Sequence, residues 1–220
     1  GFGKEKITRY TDSLIRQAEK AGIETRLGTE VSPEIVRELD PCGVFVACGA
    51  EPLVPPIPGI NEDSVCTAEE VLLGREKLQG RVVVVGSGMT GLETAEMLAM
   101  DGCTVTIVEM LDEVGAGVYP AVVQDVMGRI AQHDAVILTG HRLERVTPEG
   151  VELTRLSDGE KMAVNADRVV LAMGVSPRKA VADSFKAAFP NVRVIGDAYR
   201  GARILEATRD AHGKAFTFEP

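Results

Sequence analysis

Apolar residues recur along the chain at two different periods, and the switches between them mark out helices and strands. Ile7, Tyr10, Leu14, Ala18 and Ala21 repeat at three- and four-residue steps, which predicts a helix over 7–21 stopped by Gly22. Residues 23–27 read as a short strand and 29–31 as another. Ser32-Pro33-Glu34 predicts a helix start, with Ser as the cap and Pro in the first turn, and an end near Leu39. Residues 43–48 are apolar and predict a buried strand. Pro52, Pro55, Pro56 and Pro58 then forbid helix and predict a stiff, extended crossing, the best candidate for an inter-domain connection. Thr67 predicts a cap for a helix over 68–73, ended by Gly74.

The sharpest pattern lies at 81–109, RVVVVGSGMTGLETAEMLAMDGCTVTIVE. Val82 to Val85 form a β-branched run that predicts a strand buried on both faces. Gly86, Gly88 and Gly91 follow as G-x-G-x-x-G, with Ser87, Met89 and Thr90 between them. Leu92, Ala95, Met97, Leu98 and Ala99 give an apolar helical face ended by Gly102, and 104–108 is a second strand closed by Glu109.

After a glycine loop at 115–117, Pro120 opens a helix to about Gln132, and 135–139 reads as a third parallel strand. Three short segments, 141–146, 150–156 and 161–165, are separated by turn residues and predict a small antiparallel meander. Residues 168–173 read as a buried strand, 181–189 as a helix, 192–195 as a last strand and 203–218 as a final helix. Residues 44–52 and 169–177, VFVACGAEP and VVLAMGVSP, echo each other as strand, small-x-Gly turn and Pro, which suggests two similar nucleotide-binding modules.

The glycine pattern has a chemical reading. Gly86 permits the tight turn, Gly88 lets backbone approach a pyrophosphate, and Gly91 lets the helix pack close to the sheet. The helix start adds free N–H groups and the positive end of a dipole, which attract phosphate. Glu109, 18 residues past Gly91 (109 − 91), is placed to accept from a ribose 2′-OH. A glycine-rich structural turn is the alternative, but the surrounding strand, helix, strand and acid favour a dinucleotide site. The acid would repel a 2′-phosphate, and Met110, Leu111 and Asp112 supply no Arg after it, so NADH is expected over NADPH.

Composition adds exclusions. The chain has 220 residues, a net charge of −9 and 45% hydrophobic residues. An acidic chain of this kind argues against nucleic acid or an anionic membrane as the main partner. No apolar run is long enough to span a bilayer and no signal peptide is visible, which makes the cytoplasm the default location. Cys42, Cys48, Cys66 and Cys103 lack C-x-x-C spacing and read as buried thiols. His133, His141 and His212 read as solvated or structural, and no metal site is expected. No residue stands out as a catalytic acid, base or nucleophile.

These motifs resemble the two-dinucleotide-binding-domain flavoproteins of the pyridine nucleotide–disulfide reductase type. The resemblance is strongest to the C-terminal region of NADH:flavin oxidoreductases of the 2,4-dienoyl-CoA reductase and trimethylamine dehydrogenase group. Ala47-Cys48-Gly49-Ala50-Glu51-Pro52 followed by Pro58-Gly59 is similar to the family's A-T-G-x-x-P…P-G segment, with Cys in place of Thr. Gly86 to Gly91 with Glu109 matches the NAD fingerprint. Ala172-Met173-Gly174 with Pro177 resembles a second A-T-G segment, with Met in place of Thr. Val194-Ile195-Gly196-Asp197 resembles the G-D motif, whose Asp holds the flavin's ribityl chain in the family.

The resemblance implies a Rossmann-like α/β fold. An NAD(H)-binding domain at 78–175 would be inserted in an incomplete FAD-type domain formed by 1–77 and 176–220. The family's own flavin fingerprint is not seen before Ile7. A fragment is therefore expected, inactive alone, of an enzyme that passes hydride from NADH to FAD and onward. The missing N-terminal barrel would, by resemblance, carry FMN and a 4Fe-4S cluster. Glu93 either lies near the nicotinamide carboxamide, as in the family, or is a solvated helical Glu. Asp197 either marks a flavin site or caps a turn. Gly174 either turns beside the NAD or simply ends a strand. A module that only holds ADP structurally stays open as the alternative function, and so does a homo-oligomeric state.

Overall fold

The chain opens with a helix, α1 (Glu5–Lys20), a short helix, α2 (Pro33–Arg37), and two short strands, β1 (Val44–Val46) and β2 (Ala50–Pro52). This structure is a computed structural model and describes residues 4–219. The expected first helix forms, yet none of its residues is buried. The strands expected over 23–27 and 29–31 do not form. Ile23 and Leu27 stay exposed, and Gly22 and Gly28, at φ +71° and +63°, bend the chain instead of extending it. The strand expected at 43–48 shortens to three residues, of which Val46 alone is buried.

A longer run of elements follows: β3 (Val65–Thr67), α3 (Ala68–Leu72), β4 (Arg81–Val85), α4 (Met89–Met100), β5 (Thr104–Val108), α5 (Pro120–Ile130) and β6 (Val136–Leu138). Then come β7 (His141–Thr147), β8 (Gly150–Arg155), β9 (Lys161–Asn165) and β10 (Arg168–Leu171). Residues Pro52–Val175 form one of the chain's two units, called the inner unit here. Its centre is a five-stranded parallel sheet in the order β3-β10-β4-β5-β6. The meander forms as expected, β7-β8-β9 antiparallel, with a bulge between Leu143 and Arg145.

The alternation of side chains along β4 explains the layers. Val82 and Val84 pack with Leu92, Ala95 and Leu98 of α4 and with Val126 and Ile130 of α5. Val83 and Val85 pack on the opposite face with Leu143, Val146, Val151 and Leu153 of the meander. A strand covered on both faces needs an unbroken apolar run, which is why this one reads VVVV. Each fully buried valine contributes about 1.5–3 kcal/mol relative to exposure. Glu96, buried on α4, is paired with Arg129 of α5, so its charge is not left bare where the two helices meet.

Residues 52–77, grouped with the outer segments on sequence, pack in the inner unit. β3 pairs in parallel with β10, and α3 carries a capping box. There the Thr67 Oγ1 accepts from the Glu70 N–H and the Glu70 carboxylate accepts from the Thr67 N–H. The proline segment is no free connector either: the Val146 N–H donates to the Pro58 carbonyl at 2.9 Å.

The chain ends with β11 (Val175–Pro177), α6 (Lys179–Ala188), β12 (Val192–Val194) and α7 (Ile204–Phe216). The residues up to Glu51 and from Ser176 onward form the second, outer unit. In it β1 and β12 pair in parallel, Val44 opposite Val192 and Val46 opposite Val194. Its buried apolar core is Val46, Ala182 and Phe185. The whole is the expected α/β class, with a parallel Rossmann-like sheet and a small antiparallel one. No helix of the described residues is long and apolar enough to cross a membrane.

Candidate functional site

In the inner unit, the chain after β4 runs to β5 and β6 on one side, while β10 lies on the other. The strand order therefore changes direction at β4, and a crevice opens beyond the strand ends where loops depart to opposite sides. A cleft of about 1050 Å³ lies there, at the top of the range for small-molecule sites. Its walls include Gly86, Gly88, Met89 and Thr90 after β4, Glu109, Met110 and Leu111 after β5, and Ala172, Met173 and Gly174 after β10.

The three fingerprint glycines have three separate geometric reasons. Gly86 sits at φ +104°, and a Cβ there would come within 2.5 Å of the Ala172 carbonyl oxygen. Gly91 would place a Cβ 2.0 Å from the Gly86 carbonyl oxygen, so only glycine lets α4 approach the strand end. Gly88 is different: a Cβ there meets no protein atom within 4 Å. Its bareness serves the cleft rather than the fold. Gly88 is also the N-cap of α4, whose first turn has no side-chain cap and no acidic residue. The positive end of that helix faces the cleft with no acidic residue in its own first turn.

Glu109 closes β5 and is half-buried. One carboxylate oxygen accepts from the Ser87 N–H at 2.8 Å and the Ser87 hydroxyl at 2.7 Å; the other accepts from the Leu111 N–H at 2.9 Å. Burial alone would raise its pKa, but the hydrogen bonds from Leu111 and Ser87 outweigh it and hold the carboxyl below its ordinary value. Glu109 is an anion at neutral pH, built to accept.

The remaining expected residues divide in two. Ser87 and Gly91 are buried behind the cleft surface, and Glu93, half-buried in α4, does not line it. Cys48, Gly49, Gly196 and Asp197 belong to the outer unit. There β1 and β12 are parallel neighbours, so Cys48-Gly49 and Gly196-Asp197, just past their C-terminal ends, share one edge. Gly49 and Gly196 turn the chain at φ +73° and +58°. The Gly196 N–H donates to Asp210, itself paired with Lys214, and Asp197 accepts from the Ala202 N–H.

Several cleft residues were not singled out on sequence. His141, Arg142 and Glu144 border it from β7, whose first N–H donates to the Glu109 carbonyl at 2.9 Å. Arg142 donates to Glu144 at 2.9 Å. The residues that follow Glu109 in sequence supply no cation, whereas Arg142 reaches the cleft from the following strand. Pro56, Ile57, Leu72 and Leu73 add an apolar wall. Among the cysteines, Cys66 and Cys103 are buried and their thiols are pushed up by that burial, but Cys42 is exposed and Cys48 half-buried, contrary to the uniform burial expected. No cluster of His, Cys, Asp or Glu suited to a metal ion occurs among the described residues.

Comparison with known proteins gives concordant matches. Residues 36–200 match the profile of the pyridine nucleotide-disulphide oxidoreductase family. An NADH oxidase of Thermoanaerobacter brockii is 35% identical over 213 residues, covering 93% of this chain and 32% of that protein. A bilirubin reductase of Mediterraneibacter gnavus is 31% identical over 210 residues, covering 95% of this chain and 32% of that protein. Among solved structures, a 2-naphthoyl-CoA reductase in complex with 2-naphthoyl-CoA superposes with a TM-score of 0.84 at 26% identity, covering 93% of this chain and 31% of that one. The chain thus spans about a third of the length of the relatives it matches.

Proposed function

The chain belongs to the pyridine nucleotide-disulphide oxidoreductase family, and from that premise we propose that it is the dinucleotide-binding part of an NADH-dependent flavin oxidoreductase. The observation that carries this reading is the conjunction in one cleft of a bare Gly88, an uncapped helix start and an ionised Glu109. The residues fit a dinucleotide. The α4 amides would take the pyrophosphate, and Glu109 would accept from the adenosine ribose. Because β5 and β10 flank β4 on opposite sides, the nicotinamide half would extend away from Glu109 toward Met173, Gly174 and the apolar wall.

NADH, when bound, would supply hydride chemistry to a flavin held by the other unit. The protein's own residues bind, orient and exclude water; no side chain in the cleft is needed as acid or base. In the outer unit, the edge formed by Cys48-Gly49 and Gly196-Asp197 would meet the flavin, with Asp197 on its ribityl chain. The inner unit is then the NAD(H)-binding domain and the outer unit the flavin-type one.

The names of the relatives, an NADH oxidase and a bilirubin reductase, support an oxidoreductase; the 2,4-dienoyl-CoA reductase-like reading rests on the sequence motifs alone. The length of the relatives outside the shared third leaves room for a substrate-reducing barrel with FMN and a 4Fe-4S cluster, working in the cytoplasm.

Titration with NADH and NADPH, followed by nicotinamide fluorescence, tests the reading. Glu109→Gln should weaken NADH about tenfold, the scale of one charge-assisted hydrogen bond. Gly88→Val should abolish binding at a stability cost no larger than that of a poorer helix cap, since a Cβ there meets no protein atom within 4 Å. Equal or tighter NADPH binding by the wild-type chain would sink the Glu109 assignment. Unaltered NADH binding by Gly88→Val would sink the cleft itself.

A further inference from the structure

Ser87 stands between the first two fingerprint glycines, where the G-x-G pattern asks for no particular residue, and it is 0% exposed. Its hydroxyl is used in both directions. It donates to Glu109 at 2.7 Å and accepts from the Gly115 N–H at 3.2 Å. With the Ser87 N–H at 2.8 Å, the same residue takes one Glu109 oxygen twice. A carboxylate offers about four acceptor sites. Ser87 fills both on one oxygen, and Leu111 takes one on the other, with the Met110 N–H also favouring the charged form.

The brace behind Ser87 is firm. Gly115 sits at φ +70°, and a Cβ there would come within 2.7 Å of Val123 on α5. The loop after β5 is pressed against that helix and has little room to withdraw its N–H.

We propose that Ser87 is the positioning residue that sets cofactor choice in this cleft: braced by Gly115, it clamps Glu109 so that one oxygen meets a ribose hydroxyl and a 2′-phosphate meets a charge that cannot turn away. This rests on the NADH reading above. A freely rotating carboxylate could swing clear of a 2′-phosphate; a clamped one repels it at fixed distance. Removing the hydroxyl releases the clamp, weakens NADH and relieves the penalty on NADPH.

The test compares the wild-type chain, Ser87→Ala, Ser87→Cys, Glu109→Gln and the Ser87→Ala/Glu109→Gln double variant, each titrated with NADH and NADPH. The preference for NADH is expected to fall about tenfold in Ser87→Ala, on the scale of one lost hydrogen bond to a charge. It should fall less in Ser87→Cys, which is similar in size but a weak donor. In the double variant it should fall no further than in Glu109→Gln alone, because the serine acts through the acid. A merely structural loss would weaken both cofactors together, leave their ratio unchanged and add to Glu109→Gln. Should Ser87→Ala fail to fold by circular dichroism, Ser87→Cys carries the comparison. Full preference retained by the folded serine variants, with Glu109→Gln losing it, overturns the role of Ser87 and leaves the NADH reading standing. A wild-type chain that binds no NADH overturns both.

Discussion

Val84 of β4 is 0% exposed, whereas Phe45, the central residue of β1, is 38% exposed. Both lie in short apolar strands of the kind that reads as buried on sequence. The difference is in their neighbours. β4 has β10 on one side and β5 on the other, with helices over one face and the meander over the opposite one. β1 pairs with β12 alone among the described strands, and three buried residues make up the core beside it. The same contrast separates α4, with seven buried residues, from α1 and α7, with none. An apolar pattern states which side of an element turns inward. How far inward it goes depends on how many elements arrive to meet it.

The contrast can be broken most severely at its tightest point. Gly91→Ala puts a Cβ 2.0 Å from the Gly86 carbonyl oxygen, against backbone that cannot yield without moving β4. The expected cost is about 3 kcal/mol, the upper end for overpacking, together with loss of NADH binding. Gly196→Ala in the outer unit meets only the Ala207 Cβ at an ordinary 3.6 Å, so its cost is the left-handed backbone strain of about 1–2 kcal/mol. Urea unfolding of the two variants measures both. Equal costs would show that the glycines of the two units are not held to different tolerances.

A second pair sharpens the comparison without touching glycine. Leu92 on α4 is 0% exposed and Leu14 on α1 is 43% exposed, though each sits on the apolar face of its helix. Leu92→Ala should cost about 3 kcal/mol, transfer and cavity terms together. Leu14→Ala should change stability by no more than about 0.5 kcal/mol. A large cost for Leu14→Ala, measured by denaturant midpoint at unchanged slope, would mean that the α1 face is covered in solution.

What could be read from sequence follows the same division. The β4–α4–β5 unit was legible almost to the residue, because strand, glycines, helix and acid are all local signals and each is confirmed by the next. The Thr67 cap and the meander were legible for the same reason: turn chemistry is local. The strands expected over 23–27 and 29–31 carry few apolar residues, and pairing partners are not written in a segment's own residues; none arrives among the described strands. β3 escaped notice because Val65-Cys66-Thr67 is only a three-residue edge strand, fixed by its pairing with β10 about a hundred positions away. In the site, Gly88 and Glu109 carried their meaning in their spacing. Ser87 was expected only as one of the residues between the glycines, and its clamp on Glu109 was not legible; nor was Arg142, which the fold brings in from β7.

The smallest expected effect concerns the ends of the strands rather than the site. Asp167, just before β10, accepts from the Arg81 N–H at 2.8 Å and the Arg81 guanidinium at 2.7 Å, tying the starts of two neighbouring strands together. The outer unit has a counterpart in Asp210, which accepts from Gly196 and pairs with Lys214, but that pair ties a helix to a turn. Hydrogen bonds from the Arg81 side chain and backbone lower the Asp167 pKa from 3.8 to about 2. A carboxylate depressed on folding contributes its stabilisation fully above its unfolded pKa and loses it as pH falls toward the folded value. The wild-type advantage over Asp167→Asn should therefore be constant above about pH 5, shrink between pH 3.8 and about 2, and vanish below. Both side chains are about half exposed, so the advantage should be small and weaken further in high salt. Acid titrations of the two proteins by circular dichroism, at low and high salt, measure it. An advantage that persists below pH 2 would show that it comes from hydrogen bonds of the neutral side chain to Arg81 and owes nothing to the charge.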